Sequence, residues 1–389
     1  MKQPSKMNSL REIVEAAPQF RHLAMEGLRG ENAPQPLGTA PWDWRSVERV
    51  LMVRLRSIGD TVLATPSLFA LRRFLPRARI DVLLEDWVAP VLEGFDHVDS
   101  VITLRSHSTA SRLRVIRQLR AASYDVAFNL HGGTTATFLT SASGATRRVG
   151  YAHYRYRRLH NYLAPSSLLL WGKERAHSVE QQLALLGWTG VPVTDRPPTQ
   201  LVVVNHAVTS IDARLRASGV DPSIPLAMLH PAAAYNTKQW ATENFARAAS
   251  GIANRGFNIV AVTAPQEADV AQRLKQFASI QMTTFTDLSL PEVAALAARA
   301  RLFLGNDSGI AHIAAAVGTP SVVVFGSSNI SHWRPWSTAP AEIVKEDMDC
   351  QPCHGYYCEK FAEPECIKRV PVERVMAAVD RVLQSFPSH

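Results

Sequence analysis

A chain of 389 residues, 46% hydrophobic and 20% charged, has enough apolar material for two cores at ~100–200 residues per domain. No apolar run reaches the ~18 residues of a membrane span. Met1 to Ala17 interleaves Lys2, Lys6, Arg11, Glu12 and Glu15 without an apolar stretch, so no secretory leader is expected and the expected address is the cytosol. The formal net charge is +8 and unevenly spread. Between Arg105 and Arg175 stand twelve Lys/Arg against two acids, Asp125 and Glu174. Such a field suits a polyanion (nucleic acid, an anionic lipid surface or a phosphorylated glycan), or it is a solvated basic face without a specific partner.

In chain order, residues 1–46 read as an N-terminal extension: an amphipathic helix around Leu10 to Leu28, then a Pro/Gly-rich linker from Gly30 to Pro41. From Val47 short apolar runs alternate with helical ones. Val50–Val53 reads as a buried strand and Asp60–Phe74 as one helix. Ile80–Leu84, Val98–Leu104 and Tyr124–Leu130 read as further strands. Arg147–Lys173 reads as a long connection, and His177–Trp188 as a helix. The Pro-rich run Val191–Pro198 reads as an interdomain linker. The alternation restarts with strands at Leu226–His230, Ile259–Thr263, Leu302–Gly305 and Ser321–Phe325. Helices are expected at Thr242–Asn254, Pro265–Phe277, Pro291–Ala300, Ser308–Val317 and Val370–Phe386. Strand–helix alternation at this spacing predicts βαβ units and parallel sheets covered on both faces. The predicted fold class is α/β: two Rossmann-like, doubly wound parallel-sheet domains, with ligands outside the carboxyl ends of the strands where the halves face each other.

Three motifs stand at such strand ends. In Arg54-Leu55-Arg56-Ser57-Ile58-Gly59-Asp60, Gly59 permits close backbone approach. Asp60 is either a helix N-cap or a carboxylate placed to take a proton from an attacking hydroxyl. In His230-Pro231-Ala232-Ala233-Ala234, small residues leave room for a phosphate, and Lys238 supplies a point charge for it; otherwise Lys238 is a surface lysine. Gly305-Asn306-Asp307-Ser308-Gly309-Ile310-Ala311-His312 is the most specific signal. Free N–H groups of Ser308 and Gly309 at a helix start suit an anion. Asp307 would repel a phosphate and is better used on a sugar diol, and His312 either donates to the phosphate or holds the loop. Glu267, just after a strand, is either a ribose ligand or a solvated first-turn acid. Gly-x-Gly-x-x-Gly and Walker A patterns are absent. The three motifs hold no paired carboxylates for Mg²⁺, so Lys238 and the helix N-terminus would have to stabilise a leaving diphosphate. All four cysteines, Cys350, Cys353, Cys358 and Cys366, fall in one stretch. They read as a structural Zn or Fe site, as reduced thiols or as disulfides.

From Val47 to Val382 the chain resembles glycosyltransferase family 9, the bacterial ADP-heptose:lipopolysaccharide heptosyltransferases. The resemblance rests on residues 56–68, on Gly144-Ala145-Thr146-Arg147-Arg148-Val149-Gly150-Tyr151, on His230-Pro231 with Lys238-Gln239-Trp240, and on residues 305–316. It implies a GT-B fold, with an acceptor domain at 47–198, a nucleotide-sugar donor domain at 199–370 carrying the Cys-rich loop 350–366, and a C-terminal helix at 371–389. It implies inverting heptosyl transfer from an ADP-sugar to lipopolysaccharide core, without a catalytic cofactor. Asp60 would be the general base, Lys238 the diphosphate partner, Asp307 a heptose ligand, Ser308 and Gly309 the phosphate ligands, and Glu267 the ribose ligand. Alanines at 232 and 233 stand where many relatives have Thr or Ser, leaving only backbone N–H groups for phosphate. The cysteine spacing resembles a loop found in part of the family. The implied partners are a nucleotide-sugar donor and an acidic glycolipid acceptor, with peripheral contact at the cytoplasmic face of the inner membrane and no nucleic acid. Alternatives are the same chemistry on a protein or other surface glycan, a GT-B-like sugar-nucleotide epimerase, or a non-catalytic binding module.

Overall fold

The computed structural model describes residues 33–106, 108–353 and 355–385; the helix expected at Leu10 to Leu28 lies outside them. The first sheet holds β1 (Arg49–Val53), β2 (Arg79–Glu85), β3 (Ser100–Leu104), β4 (Val126–Asn129), β5 (Arg147–Tyr151) and β6 (Tyr162–Ala164) in the order β3-β2-β1-β4-β5-β6. The second holds β7 (Leu226–His230), β8 (Asn258–Val262), β9 (Thr283–Phe285), β10 (Ala300–Asn306), β11 (Ser321–Phe325) and β12 (Ala341–Lys345) in the order β12-β11-β10-β7-β8-β9. Every neighbouring pair is parallel. The two sheets therefore share one topology. In each the strand order reverses beside the first strand, between β1 and β4 and between β7 and β10, which opens a crevice at the carboxyl ends.

The helices of the first half are α1 (Ile58–Val62), α2 (Thr65–Phe74), α3 (Thr109–Ala122), α4 (Thr134–Ala142), α5 (Ser167–Trp171) and α6 (Ser178–Gly187). Those of the second are α7 (Asn205–Ala217), α8 (Thr242–Ala253), α9 (Ala268–Phe277), α10 (Leu290–Arg299), α11 (Gly309–Ala316), α12 (Ile330–Trp333), α13 (Glu365–Lys368) and α14 (Val372–Gln384). Both faces of each sheet are covered, as the unbroken apolar strands require. Val50 and Met52 of β1 face one core while Leu51 and Val53 face another. Leu226 and Met228 of β7 share the first of these cores, which thus runs through the inner layer of both halves, and Ala227 and Leu229 face a third.

Several expectations are corrected. The single helix expected at Asp60–Phe74 is two, α1 and α2, because Pro66 in the first turn of α2 has no N–H to continue the preceding helix. The connection expected from Arg147 to Lys173 contains β5 and β6. The first two of the five residues of β5, Arg147 and Arg148, are only partly buried, so its apolar signal is weak. Strands β9 and β12 and helix α7 had no counterpart in the sequence reading; both strands lie at sheet edges with partly exposed residues. Residues 35–46 pack on the first half: Leu37 N–H donates to Gly187 O, Trp44 is buried, and its Nε1 donates to Thr189 O over 2.7 Å. The chain passes between halves after Asp195, paired with Arg73, and before Thr199, whose N–H donates to Trp336 O. Helix α14 buries Val375, Ala378, Val379 and Val382 in the core under the second sheet.

Candidate active site

The crevices at the two reversal points open into one cleft of about 860 Å³. Asp60 and His312 line it beside Lys238, Glu267, Asp307, Ser308 and Gly309, so the sequence-derived candidates, cysteines apart, share one cavity. Two glycines let the halves meet there. A Cβ on Gly309 would lie 2.7 Å from Cβ of Ile58, and one on Gly59 would lie 2.7 Å from the His312 ring. Both are closer than real contacts allow, so the starts of α1 and α11 abut only because both positions are glycine. Ser57, at φ 75° in the turn before α1, holds a left-handed conformation that side chains rarely adopt.

On the N-terminal wall Asp60 forms an ion pair with Arg54. Arg54, at the end of β1, is anchored by its Nη1, 3.2 Å from both Leu130 O and His131 Nδ1 at the exit of β4. His131 is held neutral: burial, then the neighbouring Arg54, pushes its pKa down to about 4. Its ring nitrogen beside Arg54 therefore acts as an acceptor. Asp60 is not a simple N-cap. Ser57 takes that position, with Oγ 3.5 Å from Asp60 N.

On the C-terminal wall Lys238 Nζ lies 2.9 Å from Asp307 Oδ2, and Ser328 Oγ donates to the same oxygen over 2.5 Å. Lys238 closes a 3-10 turn, Asn236–Lys238, after β7. Asn306, fully buried, ties this turn to β10: its Oδ1 accepts from Trp240 N and its Nδ2 donates to Pro231 O. Ser308 caps α11, accepting from Ala311 N over 3.4 Å. The Ala233 N–H expected to serve phosphate is directed at Gln239 Oε1, 3.3 Å away. Glu267 Oε2 accepts from Ala264 N over 2.9 Å and lines the cleft beside Val262, Leu288 and Val293. Buried His312 packs against Gly59, and burial pushes its pKa down. Its Nδ1 has no hydrogen-bond partner.

The four cysteines read as a structural Zn or Fe site, as reduced thiols or as disulfides. All four are free thiols, and among the described residues no group of three or more His, Cys, Asp or Glu side chains could hold a metal ion. Cys366 is buried on α13, Cys353 is exposed, and the other two are intermediate. The Cys366 thiol is pushed up to about 11, by burial first and then by the neighbouring thiols of Cys353, Cys350 and Cys358. The acidic triplet Asp347-Met348-Asp349 follows β12, and neither aspartate lines the cleft. Arg54 lay inside a motif already singled out, yet its role depends on a partner that only the fold reveals. Asn306 likewise lay inside a motif already singled out, without its ties to Trp240 and Pro231 being readable there, whereas His131, Ser328 and Tyr356 had no signal beyond their residue type.

Residues 112–361 match the sequence model of glycosyltransferase family 9 (heptosyltransferase). The chain belongs to this family. Glycosyltransferase family 9 relatives include lipopolysaccharide heptosyltransferase 3 of Escherichia coli, 27% identical over 85% of this chain and 98% of the relative. The solved family 9 glycosyl transferase of Veillonella parvula DSM 2008 superposes with a TM-score of 0.77 at 22% identity, over 87% of this chain and 98% of that one. The E. coli ADP-heptose lps heptosyltransferase II gives 0.72 at 19% identity, over 87% and 99%. This family 9 chain is a glycosyltransferase with a GT-B fold of two Rossmann-like domains. No helix among its described residues is long and apolar enough to cross a membrane.

Proposed function

We propose that this enzyme transfers a heptose from an ADP-sugar to a lipopolysaccharide core acceptor, with inversion at the anomeric carbon. The observation that carries the reading is a carboxylate, Asp60, lining one wall and an ammonium, Lys238, lining the other wall of a single cleft, each held by an ion pair on its own side. The first half, 47–198, holds the acceptor. As its hydroxyl oxygen forms the new bond to the sugar's anomeric carbon, Asp60 takes the hydroxyl proton. The bond from that carbon to the diphosphate oxygen breaks on the opposite side. The released charge falls to Lys238 and the N–H groups of Ser308 and Gly309 at the start of α11. Glu267, at the apolar end of the cleft in the donor half, 199–370, accepts from the ribose. Asp307 orients the sugar. Its pairing with Lys238 and Ser328 keeps its charge from opposing the diphosphate.

An acidic glycolipid acceptor suits the outer surface of the first half. Helix α3 turns Arg112, Arg114 and Arg117 outward without an ion pair among the described residues, beside exposed Leu113 and Phe138. The enzyme then works at the cytoplasmic face of the inner membrane without inserting. Lys238 carries the part a divalent cation would otherwise play, so transfer should survive EDTA. The names of the relatives above support the donor and acceptor. A screen of ADP-heptose against UDP- and GDP-sugars by thermal shift, followed by ADP release with a core acceptor, tests the reading. Stabilisation by ADP-heptose is expected; stabilisation by a UDP- or GDP-sugar alone would overturn it.

A further inference from the structure

The cysteine-rich loop reaches the cleft by a built route. At Gly326, just after β11, an added Cβ would lie 2.1 Å from Thr237 O, so glycine there lets the strand exit meet the Lys238 turn backbone to backbone. Ser327 N donates to Thr237 O, Cys353 N donates to Ser327 O over 3.1 Å, and Gln351 Nε2 donates to Gly326 O over 2.6 Å. Thr237 Oγ1 in turn donates to Gly355 O. The loop is thereby clipped to the two strand exits that carry Lys238 and Ser328. The next residue, Tyr356, enters the cleft wall and meets Tyr235, the residue preceding the Lys238 turn, edge to face at 5.0 Å and 79°. Tyr356 is still 65% exposed.

The sheet order locates this pair along the cleft. Passing from β11 through β10 and β7 to β8, the strand exits carry Ser328, Asp307, Lys238 and Glu267 in turn. Glu267 and the apolar Val262, Leu288 and Val293 form the nucleoside end. Tyr356 is fastened to the β11 and β7 exits, which flank the β10 exit that carries Asp307, the residue read above as the sugar ligand. We propose that Tyr356 and Tyr235 form an aromatic subsite for the transferred sugar, delivered to the donor pocket by the cysteine-rich loop. The inference rests on the heptosyl-transfer reading and adds the residues that select the sugar. A tyrosine ring gives a pyranose a flat apolar surface for its C–H face, with a phenol at the rim for hydroxyls.

The test compares ADP with ADP-heptose by calorimetric titration of the full chain. Tyr356→Ala should weaken ADP-heptose on the order of tenfold while leaving ADP unchanged, and Tyr235→Ala should act in the same direction. Tyr356→Phe should restore most of the loss. Tyr357→Ala, the exposed neighbour that does not line the cleft, should change neither ligand. Equal loss of ADP and ADP-heptose in Tyr356→Ala would overturn the proposal, since the ring would then serve the nucleotide or the loop's own structure. A wild-type protein that binds ADP-heptose and a Tyr356→Ala protein that binds it equally well would remove the subsite alone. A wild-type protein that binds no ADP-heptose would remove the heptosyl-transfer reading, and this inference with it.

Discussion

At the N-terminal wall the arginine is the hidden partner. The Arg54 side chain is 9% exposed and that of Asp60 17%. At the C-terminal wall the carboxylate is hidden: Asp307 is 5% exposed and Lys238 23%. Two ion pairs of similar composition, each at the reversal point of a sheet with the same strand order, are thus built inside out. One presents an anion to the cleft and the other a cation. The buried member in each case is anchored by further hydrogen bonds, Arg54 to Leu130 O and Asp307 from Ser328. Burial with added partners is what allows a charge to be kept inside at all. The lesson is that a shared topology fixes where chemistry happens, while the choice of buried partner sets its sign.

The comparison is broken most severely at the presented groups. Asp60→Ala should lower kcat by roughly 10²–10⁴-fold, the usual worth of a general base, with little change in donor affinity, read by single-turnover transfer. Lys238→Ala should cost about 10²–10³-fold in kcat and should also weaken the donor, read by steady-state kinetics. The seam between the walls is probed by Gly309→Ala, whose Cβ would overlap Ile58. Overpacking of this kind costs about 1–3 kcal/mol, to be measured by urea denaturation, and transfer should slow as the halves are pushed apart.

The smallest effect is one of pH. His177 begins α6 and joins the halves: its Nδ1 accepts from Val179 N while Nε2–H donates to Arg334 O over 2.8 Å. Burial pushes its pKa down to about 4, as for His131. Unfolded imidazoles titrate near ~6.5, so between pH ~6.5 and about 4 the unfolded chain binds protons that the folded chain refuses. Stability should therefore be full above pH ~6.5 and fall as the pH drops toward 4. His177→Gln should flatten that slope. An unchanged slope in denaturation curves at pH 7 and 5 would show that this contact does not titrate.

Much of this was legible in the residues. The strand–helix alternation predicted both parallel sheets, because strands buried on two faces are continuously apolar. The glycine-bearing motifs at residues 54–60 and 305–312 marked the two reversal points. The pairing of Lys238 with Asp307 was not legible: with the lysine on a different strand exit, Asp307 read as a group that would repel phosphate. Strands β5, β9 and β12 escaped because partly exposed strands lose the apolar signature. The cysteine spacing left a metal site, reduced thiols and disulfides open, because each uses a compact loop tied to a strand end. The loop's visible work, fastening Gly355 and Tyr356 onto the Lys238 turn, had no mark in that spacing.

Calorimetric titration of ADP into the wild-type, Asp60→Asn and Lys238→Met proteins tests the inverted pairs most directly. The account predicts that Asp60→Asn binds ADP as the wild type does and that Lys238→Met binds it at least tenfold more weakly. Equal affinities in all three proteins, or a loss confined to Asp60→Asn, would contradict the division of the cleft into an anionic acceptor wall and a cationic donor wall.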